Sequence, residues 1–410
     1  MDTSLNQLFS GLFNDIWAGL PGWLQALGAL ACLISLPGSL YLALLTLAAL
    51  CAPAQRASKK LNAASAALEI VLLVPAHNES EGILRTLRSL KAALLGDSHA
   101  RIVVVADNCE DDTAALARAE GVEVLERHDP LLRGKGHALR YAFEHIGVAD
   151  WFIVIDADTD VERDFLPRMR RAMASDADAL QCRYRVRDPL SHPRATLADV
   201  ALGAWNVLRP RGRAALGLSA GILGNGFALS RRTLQRLPYG AGSIVEDVEY
   251  HQMLLQAGLG VHWVDDTQVR GDMPAASDAA AQQRARWEGG RLRLLLDRAV
   301  PLLGAVMSGR WRLLDPLLDL CLLPLAWHCA LLLLALWLGG PLAQLAASLG
   351  LLVLALHVGL ALHLIGAGRA HLLALLDVPL YLCWKLGLAG RVWRSAQRRA
   401  AWVRSARRQP

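Results

Sequence analysis

Hydrophobic and polar positions divide the chain into three regimes. No Asp, Glu, Lys or Arg occurs between Asp15 and Arg56, or between Asp319 and Arg369. Uncharged runs of that size fit membrane spans, since ~20 apolar residues cross a bilayer core. Residues 1–22 are mildly amphipathic and free of Lys and Arg. Residues 23–53 form one apolar stretch interrupted at Pro37-Gly38, too short for two crossings. This predicts one long or kinked span, and the basic run "QRASKK" (55–60) places its end in the cytoplasm.

Between about 69 and 300 the pattern changes. Short β-rich runs occur at "EIVLLVPAH" (69–77), "RIVVVAD" (101–107), "VEVLE" (122–126) and "DWFIVIDAD" (150–158). Helical periodicity fills the gaps. After the first strand, Ile83, Leu84, Leu87 and Leu90 share a face, with Ser80 expected as the N-cap. Continuous Val/Ile runs of this kind suit a mostly parallel sheet covered on both faces. Ligands on such sheets bind at the carboxyl ends of the strands.

After residue 300 the chain becomes apolar again. Arginines alternate with leucines over 291–318, and Trp311 sits between Arg310 and Arg312, which predicts an interfacial segment. Two spans follow, roughly 320–338 and 342–366, joined at Gly339-Gly340-Pro341. A third apolar stretch, 370–390, contains Asp377 and Lys385. A third crossing would carry the basic tail outside, against the positive-inside tendency, so 370–390 is expected to be interfacial or re-entrant. The resulting division is 1–54 with one transmembrane helix, 55–300 as a cytoplasmic α/β domain, 301–318 interfacial, 319–368 with two transmembrane helices, and 369–410 as the interfacial segment plus cytoplasmic tail. No internal repeat is found.

Composition agrees. The 410 residues are 54% hydrophobic with mean hydropathy +0.29 and net charge +6. Positive charge gathers at the end, where Arg391–Pro410 holds seven arginines and no acid. Beside membrane segments this reads as a tail drawn to anionic lipid, and it has none of the aromatic ladder a nucleic-acid arm would carry. The seven cysteines show no paired spacing, so neither a disulfide framework nor a CxxC zinc site is expected, and the soluble part belongs in a reducing compartment. The N-terminus lacks the basic region of a cleaved signal peptide, and no processing is expected.

Four polar clusters end the predicted strands or open the next helix: "VPAHNESE" (74–81), "VVVADNCEDDT" (103–113), "FIVIDADTD" (152–160) and "SIVEDVEY" (243–250). Taken alone, the first two are what a capped strand-to-helix turn carries. The third is more pointed. Asp156 and Asp158 crowd one strand end, where a divalent ion with oxygen ligands, shared with a diphosphate, relieves their repulsion. Mg²⁺ or Mn²⁺ fits this, and the lack of adjacent Cys or His argues against zinc. In the fourth, Glu246 and Asp247 open a helix, where acids favour the dipole or serve as a general base. Lys135, between glycines in "RGKGHAL", suits phosphate, though the spacing is not that of a Walker A loop.

Taken together, these clusters resemble glycosyltransferase family 2 in its membrane-bound form. The order is VPAHNE, ADNCEDDT, GKG, DAD, VED, then QxxRW, met by Gln283, Arg286 and Trp287. The resemblance covers about 70–290 and is nearest to bacterial inner-membrane enzymes related to polysaccharide synthases and ceramide-type glucosyltransferases. It implies a GT-A fold, an inverting mechanism and a multi-pass protein with its catalytic domain in the cytoplasm. By the resemblance, Pro75, Ala76, Glu79 and Asp107 lie where the family holds the base and ribose. Lys135 matches a residue near base and phosphates, Asp156 the first DxD carboxylate and Asp158 the metal-binding one. Asp247, with Glu246, matches the general base. Gln283, Arg286 and Trp287 match the motif at the donor diphosphate and acceptor. Gly224 and Gly226 of "GNGF" match a segment lining the acceptor pocket. Ala106 departs from the pattern, where many members carry another Asp, and "QCRYRV" (181–186) only loosely follows cellulose-type synthases.

The implied partners are a nucleotide-sugar, with UDP-sugars the family's usual donors, a lipid or glycan acceptor, and membrane lipids. No nucleic acid is expected. A homo-oligomer or a polysaccharide-export partner is compatible with it. Single addition to a lipid-linked acceptor leads, because so few spans leave little material for a pore. A processive synthase of the cellulose, hyaluronan or poly-N-acetylglucosamine type is the alternative. A polyprenyl-phosphate sugar synthase usually lacks QxxRW. A non-catalytic subunit would show a degenerate DxD or ED, and both are intact. Arg284, Arg291 and Arg293 are expected to face solvent or headgroups, and Gly289-Gly290 to mark the turn onto the membrane surface.

Overall fold

The computed structural model describes residues 19–52, 66–274 and 277–397. The acidic stretch 1–18, the basic run 55–60 and the arginine tail from 398 lie outside the described residues. Helix α1 (Gly22–Cys51) comes first and runs through Pro37. The α/β domain then opens with β1 (Ile70–Ala76), α2 (Ile83–Ala93), β2 (Ala100–Asp107), α3 (Thr113–Ala119), β3 (Glu123–Arg127), α4 (Lys135–His145) and β4 (Trp151–Val154). It continues through β5 (Thr159–Val161), α5 (Phe165–Met173), β6 (Ala179–Val186), α6 (Pro193–Gly203), a π-helical turn and α7 (Arg209–Ala215). It closes with β7 (Phe227–Ser230), α8 (Arg231–Arg236), α9 (Glu246–Gln256) and β8 (Val261–Gly271).

The eight strands form one sheet in the order β3-β2-β1-β4-β7-β6-β8-β5. β3, β2, β1 and β4 are mutually parallel, β7 is antiparallel to both β4 and β6, and β6 returns parallel to β8. Alternate residues of β1 feed two cores. Ile70, Leu72 and Val74 pack with Ile83, Leu87 and Leu90 of α2, while Val71 and Leu73 pack with Leu139 and Phe143 of α4. That two-sided burial is why the strands read as unbroken apolar runs. Leu84 is the less buried member of its helix face. Ser80 does not cap α2. The helix starts after Gly82, and the Ser80 N–H donates instead to Asp111 Oδ2 at 3.0 Å.

The last strand leads into α10 (Ser277–Met307), 31 residues long. QxxRW lies on it, and so does Gly289-Gly290, which is therefore no turn. The pair serves close packing. A Cβ at Gly289 would come within 2.5 Å of Ser395 Cβ, and one at Gly290 within 2.8 Å of Val245 Cγ1. The helix also crosses the expected boundary at residue 300 without a break. Among the described residues six further α-helices follow: α11 (Leu314–Cys321), α12 (Leu325–Leu338), α13 (Pro341–Leu364), α14 (Arg369–Ala374), α15 (Val378–Leu386) and α16 (Ala389–Ser395).

Among the described residues, α1 and α13 are long and apolar enough to cross a membrane singly. The expected span 320–338 is instead a 14-residue helix after a 79° bend, and 369–395 is a second bent pair, at 54°. Pro324, which cannot donate a backbone hydrogen bond, stands just before α12. Helix α1 buries Ala31, Leu42, Leu45 and Ala49 and exposes Leu33, Leu40, Leu47 and Leu50.

Candidate active site

Parallel register brings the carboxyl ends of β1, β2 and β4 to one edge of the sheet. There the chain opens a cavity of about 1380 Å³. Its walls include Pro75, Ala76, Glu79, Asp107, Lys135, Asp156 and Asp158 from strand ends and the start of α4. Gly224, Glu246, Asp247, Gln283, Arg286 and Trp287 close it from the other side. Of the residues that the resemblance assigned to the site, Gly226 alone does not line the cavity. At φ +69° it sits behind, where a Cβ would meet Cys182 Sγ at 2.6 Å.

Each acid is held differently. Asp107 pairs with the buried Arg127 at 2.6 Å, and Arg127 also binds Asp129 at 3.0 Å. The imidazole of His77 donates to the Asp107 carbonyl at 2.7 Å, which ties the ends of β1 and β2 together. Asp111 accepts from Ser80 N, Thr113 N and Thr113 Oγ1. Burial pushes its carboxyl up, but those donors outweigh it and hold the pKa at about 2.

Asp156 accepts from the Lys135 ammonium, which also donates to the Gly224 carbonyl. The Asp156 N–H donates to Asn225 Oδ1 at 3.1 Å, and Asn225 Nδ2 reaches Thr159 at 2.8 Å. Asn225 is fully buried and fastens the DxD turn to the glycine segment. Sequence reasoning singled out its glycine neighbours and passed over it.

Glu246 and Asp247 begin α9 beside this cluster. Burial, then the neighbouring Asp247 carboxylate, pushes Glu246 above the usual range. Burial also raises Asp247, against the Val248 N–H and Lys135. Burial disfavours the charged Lys135, but Asp156, Glu246 and Asp247 outweigh it and keep its pKa high. Burial lowers the pKa of Arg286, and the nearby Glu246 and Asp156 carboxylates counter that only in part. Carboxylates and cations thus lie close enough together for their charges to interact.

No group of three His, Cys, Asp or Glu residues suited to a metal occurs among the described residues. A two-carboxylate set still fits Mg²⁺ or Mn²⁺, which take remaining ligands from substrate phosphates and water. Asp158 fits that role better than Asp156, whose Oδ1 is engaged by Lys135.

Comparisons with known proteins bear on this geometry. Residues 67–290 match the family described as glycosyltransferase-like family 2. The chain belongs to glycosyltransferase family 2. A low-salt glycan biosynthesis hexosyltransferase, Agl6, from Haloferax volcanii is 35% identical over 108 residues, which is 26% of this chain and 25% of that one. The chain thus matches only a quarter of that relative's length. The mannosyltransferase PcManGT from Pyrobaculum calidifontis, solved with GDP-Man and Mn²⁺, is similar with a TM-score of 0.54 at 18% identity. That match covers 91% of this chain and 97% of the other, so the shared GT-A fold extends into the helical region. A glucosyl-3-phosphoglycerate synthase from Mycobacterium tuberculosis, solved with Mn²⁺ and UDP-Glc, gives a TM-score of 0.41 at 25% identity, over 57% of this chain and 82% of that one.

Within this family 2 chain the cavity extends past QxxRW. Arg291, expected in solvent, is buried against Asp319 and stacks over Trp205 at 4.7 Å. Arg284 lies over the Trp287 ring at 5.5 Å, and Arg293 pairs with Asp297 on its own helix. Glu288 follows QxxRW directly. It accepts from Trp327 Nε1 at 3.1 Å and pairs with the buried Lys385 of α15. The signal for Lys385 was present, since it is a lone cation in an apolar stretch.

Proposed function

We propose that this protein is an inverting hexosyltransferase at the cytoplasmic face of a membrane, moving one sugar from a nucleoside diphosphate to a membrane-associated acceptor. A bacterial inner membrane is the setting that the resemblance implies. One observation carries the reading. A single cavity is lined both by strand-end acids, Lys135 and Arg286, and by Leu325, Cys329, Val358, Val378 and Leu382 of α12, α13 and α15. Donor chemistry and an apolar acceptor therefore share one space.

In this mechanism Asp107 and Glu79 hold the nucleoside. Asp158, with Asp156, would hold a divalent ion, whose chemistry when bound is to neutralise charge developing on the diphosphate. Lys135 and Arg286 add fixed positive charge on the same group. Asp247 takes the proton of an acceptor hydroxyl. The oxygen bonds to the anomeric carbon from the face opposite the diphosphate, and the carbon–phosphate-oxygen bond breaks with its electrons leaving on the nucleoside diphosphate. One displacement inverts the centre, unlike hydrolysis by two flanking carboxylates.

UDP-sugars are the first donors to test, with GDP-sugars beside them. The decisive variant is Asp247→Asn, which should slow transfer roughly 10²–10⁴-fold and leave donor affinity within about twofold. Turnover at the wild-type rate would sink the base assignment. Sizing the product from labelled donor separates single addition from a processive synthase.

A further inference from the structure

We propose that the acceptor is an amphiphile carrying a phosphoester between its apolar chain and the hydroxyl that receives the sugar. This rests on reading the cavity as a glycosyltransferase site.

The argument is one of charge. On α10, Arg284, Glu288 and Arg291 recur at helical spacing and all line the cavity that Asp247 and the apolar residues of α12, α13 and α15 also line. Lys385 joins them from α15, close enough to Arg284 to feel its charge. Glu288 is their only acid in the wall there, and it is engaged by Lys385 and Trp327. Arg284 has no ion pair among the described residues, only the face of Trp287.

Arg291 gains little relief behind the wall. Its partner Asp319 is shared with Arg209 and with Arg213, the latter at 2.6 Å. Asp315 is divided between Arg213 at 3.2 Å and the Tyr41 hydroxyl at 2.6 Å. Within this linked group, five cations therefore face three carboxylates. A surplus of part-buried positive charge is costly unless an anion completes it.

The donor does not account for the surplus. Its diphosphate is served by Lys135 and Arg286, which both sit near Asp156 and Glu246, whereas Lys385 pairs with Glu288 and sits near Arg284. Arg291 lies near enough to Asp247 for the two charges to interact. A phosphate held by Arg284, Arg291 and Lys385 would set a hydroxyl beyond it toward Asp247 and a chain before it among Leu325, Val358 and Leu382. A phosphate in that place can come from a lipid headgroup or from a soluble sugar phosphate. The apolar half of the cavity favours the lipid.

The test uses the full chain in detergent with Mn²⁺ and labelled donor. Three acceptors share a terminal sugar: one on a long chain through diphosphate, one on the same chain through a neutral glycosidic link, and a sugar phosphate without a chain. The expected result is transfer to the first at least about tenfold more efficient than to the others. Arg284→Gln should raise the KM for that acceptor about tenfold, with donor KM unchanged, and Arg284→Lys should restore most of it. Equal use of the neutral glycolipid or of the chain-free phosphate overturns the proposal and leaves the glycosyltransferase reading standing. So does an Arg284→Gln variant whose KM shifts alike for charged and neutral acceptors. Failure to bind any nucleotide-sugar overturns that reading, and the proposal with it.

Discussion

Gly224→Ala is a sharp probe of the base. Gly224 sits at φ +80°, and a Cβ there would lie 3.0 Å from Asp247 Oδ2. Two effects follow. The left-handed backbone costs an L-residue ~1–2 kcal/mol. The methyl also forces the carboxylate aside by a few tenths of an ångström. Complete loss of a general base costs roughly 10²–10⁴-fold, so partial displacement should lower kcat about 10- to 100-fold. Gly226→Ala is the control. Its φ of +69° carries similar backbone strain, but its Cβ meets Cys182 Sγ and Val269 Cγ2 rather than Asp247. It should lose stability, by ~1–3 kcal/mol of overpacking beyond the backbone term. The assay is single-turnover transfer at saturating donor, with donor affinity from calorimetry. Gly224→Ala should keep donor affinity within about threefold. In an Asp247→Asn background it should slow transfer no further, since the group it displaces is already disabled. An unchanged kcat in Gly224→Ala, or a full additive loss in the double variant, would refute the reasoning.

Three further outcomes follow from the geometry. Asp111→Asn should cost ~1–3 kcal/mol at pH 7, because a charged acceptor of three hydrogen bonds is lost. The Asp111 pKa is about 2 when folded, below the ordinary value of 3.8, so its stabilisation is present above pH 4 and fades as pH falls toward 2. Melting curves of wild type and variant should therefore converge in acid, and a constant gap would count against the assignment. Glu246 is shifted the other way, to about 8, so its contribution is complete below the usual carboxyl range and is lost as pH rises through 8. The metal-free protein should melt progressively lower from pH 5 to 9, and Glu246→Gln should flatten that slope; parallel slopes would contradict it. Gly289→Ala places a methyl 2.7 Å from the Val392 carbonyl and should lift α16 from α10, seen as new protease sensitivity near residue 390. Unchanged digestion would show that the packing is not needed.

The strand-end side of the cavity was legible because its signals are local. Val/Ile runs end in polar residues, and strand ends on such a sheet are where ligands gather. The misread features depend on partners distant in sequence. Ser80 looked like a cap because it precedes an apolar face, yet its N–H goes to Asp111, 31 positions on. Gly289-Gly290 looked like a hinge because glycine usually weakens helices. Its use here is close approach to Ser395 and Val245, which no local pattern reveals. Arg291 resembled a headgroup arginine until Asp319 came beside it. The bend before α12 did have a local mark in Pro324, masked by the apolar residues around it.

The two halves of the cavity are held in one frame by strand β6. Successive side chains on a strand point to opposite faces. Tyr184 lines the cavity near Asp156 and Asp158. Its neighbours Arg183 and Arg185 turn the other way, to the carboxyl end of α13. Arg185 donates to the Ile365 carbonyl at 2.9 Å and binds the fully buried Asp199, and Arg183 binds Asp265 at 2.7 Å. Arg211, paired with that same Asp265, reaches Ala49 O at 3.3 Å at the end of α1. Cations at helix carboxyl ends satisfy the last carbonyls and complement the dipole. Each guanidinium thus fastens an apolar helix to an acid of the α/β domain. One strand and two capped helix ends thus tie the apolar helices to the sheet whose strand ends carry Asp107 and the DxD turn. On the proposed reading, this frame would fix the distance between an acceptor's polar head and Asp247, so acceptor choice and base geometry would be properties of one rigid unit.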